Sequence, residues 1–203
     1  MVASKQGRGP GRPRSERSRR AVLAAARELL TDRGLPGLSV DEIATHAGVS
    51  KNTIYRWWPT KAAVLMDAFT DAFAERMSVP AEGDELTRLR TTVRRVATLM
   101  GDPEARRPFV ALVAAAQHDP ELAAALRDRF LARRRAEVGE LITSGKAAGR
   151  LPADFDPDIT IDLIYGALYY RLLVSGETVD AGYADRLLAA MGLDSDRPDS
   201  ARH

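Results

Sequence analysis

Between Gly48 and Lys61 the chain reads GVSKNTIYRWWPTK: a Gly-Val-Ser turn, then lysine, asparagine, threonine, tyrosine, arginine and two tryptophans. Cations and aromatics crowded behind a turn suit three chemistries: a ligand or catalytic pocket, a buried helix end, or a surface that meets phosphates and base edges. Lysine donates to guanine O6 and N7 and asparagine pairs bidentately with adenine, so Lys51 and Asn52 carry the groups that read a major groove. Catalysis has little support elsewhere. The chain lacks cysteine, and no nucleophile motif, HExxH or P-loop accompanies His118 and Asp119. The run DFDPDITID, Asp154 to Asp162, alternates carboxylates like a calcium loop, but Ile159 stands where the loop glycine belongs and Tyr165 where the closing glutamate belongs. Capping of the following helix accounts for it. No metal, cofactor or catalytic residue is expected; the alternative from another class is an enzyme carrying a DNA-targeting module.

Periodicity identifies the elements that position Lys51 and its neighbours. Leu23, Ala26, Leu29 and Leu30 repeat at three and four, and Gly34 sits as a C-cap glycine, which predicts a first helix over 16–33. Ser39 and Glu42 have the spacing of a capping box, with Ile43, Ala44 and Ala47 as the apolar stripe of a two-turn second helix. Gly48 ends that helix, and Ser50 caps a third. The third reaches about Trp58, because Pro59 restricts its predecessor away from helical geometry. Two short helices joined by a tight glycine turn, with a longer helix ahead, form a helix-turn-helix. On a helical wheel Ile54 and Trp58 face the core, Asn52 and Arg56 point away, and Thr53 and Tyr55 occupy the sides. The buried-end reading therefore fits only Ile54 and Trp58.

The net charge of +2 over 203 residues hides an asymmetry. Residues 1–61 carry 12 Lys/Arg against 5 Asp/Glu, and the rest carry 18 against 23. Only the N-terminal third would gain by releasing counterions from a phosphate backbone. Residues 1–15, rich in Gly, Pro and Arg, are expected to form a disordered basic arm. Within it, Arg12 and Arg14 of PGRPR resemble the core of minor-groove arms; entry into a narrow A·T-rich groove and general phosphate attraction are both open. The longest apolar segment, Phe109 to Ala116, is too short to span a bilayer and no signal peptide is evident, so a soluble cytoplasmic protein is expected.

Beyond Thr60 the pattern is helical throughout, with spans near 61–77, 85–100, 104–117, 120–147, 157–174 and 181–191. Asp119-Pro120 and Asp156-Pro157 read as N-cap and N1 pairs. No strand alternation or repeat is visible. The expected fold class is all-α: a helix-turn-helix DNA-binding domain over 16–61, a helical regulatory and dimerisation domain over 62–193, and a flexible tail over 194–203.

The segments AxELLxxxG (Ala26 to Gly34) and LSVDEIATHAGVSKNTIYRWWPTKAAVL (Leu38 to Leu65) resemble the TetR-type transcriptional repressors. The resemblance covers about 45 residues, and GALYYRLLVSG (Gly166 to Gly176) is similar to a subgroup of that family's C-terminal domains. It implies that Thr53 and Tyr55 reach phosphates. Lys61, at the start of helix 4, would add its ammonium to the helix dipole as an anion site. Ser39 acts as a cap alone or as a cap that also touches phosphate. Trp57 departs from the His or Tyr usual in the family, though its indole N–H could still donate.

A short recognition helix reads few bases, so such proteins pair about a two-fold axis on a palindromic duplex operator. The expected homodimer surface comprises Ile161, Ile164, Gly166, Ala167, Leu168 and Tyr170, completed by Leu187, Leu188 and Met191. The middle helices resemble a region whose small-molecule inducer tilts helix 4 and changes the separation of the recognition helices. Candidate lining residues are Phe69, Phe73, Leu99, Phe109, Val113 and Gln117. The expected function is a ligand-released repressor, with an activator or a ligand-independent regulator as the alternative.

Overall fold

The computed structural model describes residues 12–34, 38–73 and 76–194, without the side chains of residues 12–15. Among these the chain is all helix and turn, with no strand. The helices are α1 (Arg12–Arg33), α2 (Val40–Ala47), α3 (Lys51–Trp57), α4 (Lys61–Phe73), α5 (Glu85–Gly101), α6 (Pro103–Ala116), α7 (Pro120–Ala125), α8 (Ala132–Ala147), α9 (Pro157–Tyr170) and α10 (Ala181–Ala190). A π-helical segment, Leu126–Leu131, joins α7 to α8, and another, Arg171–Ser175, follows α9. The chain divides into two compact units, Met1–Asp71 and Ala72–His203.

In the first unit, α2 and α3 pack on α1. The seam is built from buried Leu23, Ala26 and Leu30 of α1, Ile43 of α2 and Ile54 of α3. Each large aliphatic side chain removed from water here contributes about 1.5–3 kcal/mol. Caps set the boundaries. The Ser39 hydroxyl accepts from the Glu42 N–H at 3.2 Å while the Glu42 carboxylate accepts from the Ser39 N–H at 2.9 Å. That closes the capping box. Gly48 takes φ 64°, a left-handed conformation that costs other residues energy, and the Val49 N–H turns back to the Ala44 carbonyl at 3.0 Å. Ser50 then accepts from the Thr53 N–H at 3.3 Å and starts α3 three residues after the turn.

In the second unit, α5 packs against α6, α8 and α10, and α9 packs against α8 and α10. Leu89, Leu112, Ile142, Ile161, Ile164, Leu168 and Leu188 fill this core. Gly101 closes α5 where an added Cβ would lie 2.2 Å from the Val179 carbonyl oxygen, so no larger residue fits without moving backbone. Asp119 and Asp156 cap α7 and α9 ahead of Pro120 and Pro157, as their spacing predicts.

Some boundaries differ from the sequence reading. α1 begins at Arg12, four residues inside the expected disordered arm. Pro13 lies in its first turn, where the missing N–H would be unpaired anyway, and the polar residues after it can extend a helix into water. The span 120–147 is helical but changes register through the π-helical segment. The α-helical part of 157–174 stops at Tyr170, and Gly176 ends the following π-helical segment at φ 68°. The remaining arm, 1–11, and the tail from residue 195 lie outside the described residues.

Candidate nucleic-acid interface

The two faces of α3 separate its residues by role. Ile54 and the capping Trp58 turn inward and are fully buried. Lys51, Asn52, Tyr55, Arg56 and Trp57 are exposed on the other side, and Thr53 lies at the edge with its hydroxyl 3.0 Å from that of Ser50. Tyr55 and Trp57 are exposed aromatics set among cations. Such side chains combine apolar contact area with a donor that phosphate can accept.

Trp58 holds this helix in place. Its indole Nε1 donates to Asp67 Oδ2 at 2.8 Å, and the Arg19 guanidinium lies 5.9 Å from its ring centroid. The tryptophan thus ties the end of α3 to both α4 and α1. Sequence reasoning found Trp58 as core but missed the tether, whose only signal was a carboxylate nine residues downstream.

The cationic groups are accessible. Lys51 Nζ pairs with Asp41 Oδ1 at 2.5 Å, but both side chains are more than half exposed. A surface pair of this kind is worth about 0–1 kcal/mol, so the ammonium can exchange Asp41 for a nucleic-acid acceptor at small cost. Lys61 is exposed at the first position of α4, where the Thr60 hydroxyl accepts from the Ala63 N–H at 3.1 Å. Ser39 is half-buried, its hydroxyl occupied by the capping box. Arg12 and Arg14 have backbone in the first turns of α1; their side chains are outside what the structure describes. His46 is exposed and pairs with Glu28 at 2.8 Å. Among the described residues no three His, Asp or Glu side chains come together as a metal site.

The structure redistributes the other candidates, Phe69 in the first unit and the rest in the second. Phe69, Phe73, Leu99 and Phe109 are buried, Val113 is half-buried, and Gln117 is exposed with its amide donating to the Val113 carbonyl. Leu99 borders an open pocket of about 680 Å³ beside Arg94, Arg95 and Thr98, but none of the six lines the cavity of about 320 Å³ bounded by Met77, Phe130, Leu131, Arg134, Arg135, Tyr165 and Tyr169, among others. The phenylalanines are consumed by packing: Phe109 stands behind the cavity, with ring centroids 6.4 Å from Phe130 and 5.3 Å from Tyr169. The signal that could have found the cavity is the i,i+4 pair Tyr165 and Tyr169 beside an arginine-rich helix.

The expected dimer residues divide in the same way. Ile161, Ile164, Leu168 and Leu188 fill the chain's own core and cannot face a partner, while Ala167, Leu187 and Met191 are partly exposed. Gly166 and Tyr170 are exposed. They belong to a different stripe, of which sequence reasoning found only these two, in which Ile159, Leu163, Tyr170 and Val174 are 58%, 56%, 60% and 71% exposed. Spacings of four and seven place Ile159, Leu163 and Tyr170 on one side of α9, and Val174 follows in the π-helical segment.

Comparison with known proteins agrees with this arrangement. Residues 22–68 match the family described as bacterial regulatory proteins, tetR family, and residues 79–191 match the tetracyclin repressor-like C-terminal domain. The HTH-type transcriptional regulator YdeS of Bacillus subtilis (strain 168) is 39% identical over 178 residues, 88% of this chain and 89% of its own. The crystal structure of the TetR family transcription regulator SCO0332 is 34% identical, covers 89% of this chain and 99% of its own, and superposes with a TM-score of 0.75. FadR of Thermus thermophilus shares the fold at a TM-score of 0.64 and 23% identity, covering 91% of this chain and 99% of its own. With a capped helix-turn-helix in the first unit, an all-helical second unit, and matches covering both, the chain belongs to the TetR family of transcriptional regulators.

Proposed function

We propose that this regulator is a cytoplasmic repressor that binds a palindromic operator as a homodimer and leaves it when a small molecule occupies the C-terminal unit. The solvent face of α3 carries the reading. Lys51 and Asn52 stand in its first turn with their polar ends in water, where a recognition helix meets base edges. Thr53, Tyr55, Trp57 and Lys61 flank them as phosphate donors, with Ser39 at the start of α2. No helix among the described residues is long and apolar enough to cross a membrane.

The apolar stripe of α9 supports the dimer. Three large exposed side chains on one face of α9, continued by Val174, form an association surface rather than scattered surface residues. A second copy using the same stripe would bury it isologously and bring two α3 helices to one duplex. Release by a ligand finds support in FadR of Thermus thermophilus, a TetR family transcriptional repressor solved in complex with lauroyl-CoA. Ligand and operator then compete only through a difference in the ligand's affinity for the two dimer geometries.

A reporter driven by the operator, assayed with and without the gene, tests the sign of regulation. Higher expression without the gene is expected; lower expression would identify an activator.

A further inference from the structure

We propose that the cavity bounded by α9, α8 and the π-helical segment ahead of α8 takes an uncharged, planar aromatic molecule with a carbonyl oxygen, held by the Tyr165 and Tyr169 hydroxyls. The inference rests on the ligand-released reading above and names the chemistry of its site.

Charge comes first. Two cations border the cavity and both are engaged inside the chain. Buried Arg134 donates to the Met77 carbonyl and pairs with Glu137 at 2.9 Å, and Arg135 bridges Asp158 at 3.0 Å and Asp162 at 2.5 Å. Asp158 and Asp162 are exposed and exchange partners at small cost, but the two guanidiniums face three carboxylates, Glu137, Asp158 and Asp162, a net charge of −1, so an anion gains no net attraction here and would have to part buried Arg134 from Glu137 to pair with it. A neutral ligand avoids that cost.

Two hydroxyls at the cavity keep hydrogen-bonding capacity for a ligand. The Tyr165 and Tyr169 side chains are partly exposed, and their hydroxyls donate to no protein acceptor among the described residues, which leaves them open to water or to a ligand. Burial pushes the Tyr165 phenol up to about 12 and raises Tyr169 as well, so both stay protonated donors at neutral pH. Hydroxyls open to solvent can exchange water for an acceptor brought in with a ligand. A carbonyl oxygen is a strong neutral acceptor for such a donor.

Shape selects an aromatic body. Tyr165 and Tyr169 have ring centroids 6.0 Å apart, and Tyr169 also packs on Phe109. The π-helical segment Leu126–Leu131 contributes Phe130 and Leu131 to the wall. Such segments are rare and often mark functional sites. At about 320 Å³ the cavity suits one fused bicyclic ring system.

The position also gives the ligand leverage. The Met77 N–H donates to the Phe73 carbonyl of the last turn of α4, while Met77 itself lines the cavity. Tyr165 and Tyr169 share α9 with the exposed stripe of Leu163 and Tyr170. A molecule between α8 and α9 therefore pushes on the helix that carries the proposed dimer face.

The test titrates the full chain, without DNA, with three matched probes: 2-acetylnaphthalene, 2-ethylnaphthalene and 2-naphthoate, with lauroyl-CoA as a fourth arm. The ketone is expected to bind about threefold to tenfold more tightly than the hydrocarbon, the advantage of a neutral hydrogen bond, and more tightly than either anion. Tyr165→Phe and Tyr169→Phe keep the rings, and together they should abolish the ketone's advantage while hydrocarbon binding persists. Equal affinity for ketone and hydrocarbon, an advantage that survives both substitutions, tighter binding of 2-naphthoate or lauroyl-CoA, or no binding at all would each overturn the proposal. Operator binding is measured separately. Tyrosine-dependent ketone binding that leaves the operator occupied would keep the site and refute ligand release.

Discussion

The indole of Trp58 and the carboxylate of Asp67 meet at 2.8 Å, joining the end of the recognition helix to the second turn of α4. A buried indole N–H needs an acceptor. Asp67→Ala should cost about 1–3 kcal/mol, the penalty for leaving such a donor unpaired, whereas Asp67→Asn, which keeps an oxygen, should cost less. Urea unfolding of the two variants compares these losses. Operator affinity should fall in the same order, because the tether sets the pose of α3.

Lys51 and Lys61 should fail differently when truncated. Lys51→Ala is expected to lose discrimination at particular base pairs, about 1–3 kcal/mol at the contacted position. Lys61→Ala should weaken binding to all duplexes and reduce the salt slope by about one. Salt-dependent titrations of operator and scrambled duplexes separate the two. Equal losses on every sequence for both variants would contradict the assignment.

Gly48 is required for its backbone and not for lack of space. An added Cβ meets nothing within 4 Å, yet φ is 64°. Gly48→Ala should therefore destabilise the first unit by about 1–2 kcal/mol without a steric clash. Thermal unfolding measures this.

The stripe on α9 predicts a monomeric variant that still folds. Leu163 is 56% exposed in the single chain, so Leu163→Glu should change monomer stability by no more than about 0.5 kcal/mol. Sedimentation velocity at micromolar concentration should then show monomer for the variant and dimer for the parent chain. A dimeric variant would locate the interface elsewhere.

The phenol of Tyr165 predicts a loss of stability at high pH. Burial raises it from 10.0 to about 12, so between these values the folded chain holds a proton that the unfolded chain has released. The stabilisation is complete below pH 10 and is lost as pH rises to about 12, on the order of 2 kcal/mol. Comparing chemical unfolding of the parent and Tyr165→Phe across this window isolates the contribution. A parallel pH dependence would contradict it.

How far the sequence could be read depended on how local each determinant was. Ser39, Gly48, Ser50, Asp119 and Asp156 act on their own helix ends, and their spacing was enough to place α2, α3, α7 and α9. The same holds for α3, where a wheel separates Ile54 and Trp58 from Asn52 and Arg56 because one face is plainly polar. In α9 that method failed. Both the 161/164/168 side and the 159/163/170 side are apolar, and only packing against α8 and α10 decides which one enters the core. The cavity was harder still. A void depends on the volume that neighbouring side chains leave unfilled, so the phenylalanines that looked like a lining became the packing behind it.

The outward face of α3 is most directly tested by selecting duplexes from a random-sequence pool with the purified full chain and with Asn52→Ala. The parent chain should enrich two-fold symmetric sites with half-sites about 34–36 Å apart or a multiple of that, and the variant should lose preference at an adenine within each half-site. A parent chain that enriches no sequence, even at low ionic strength, would contradict the account.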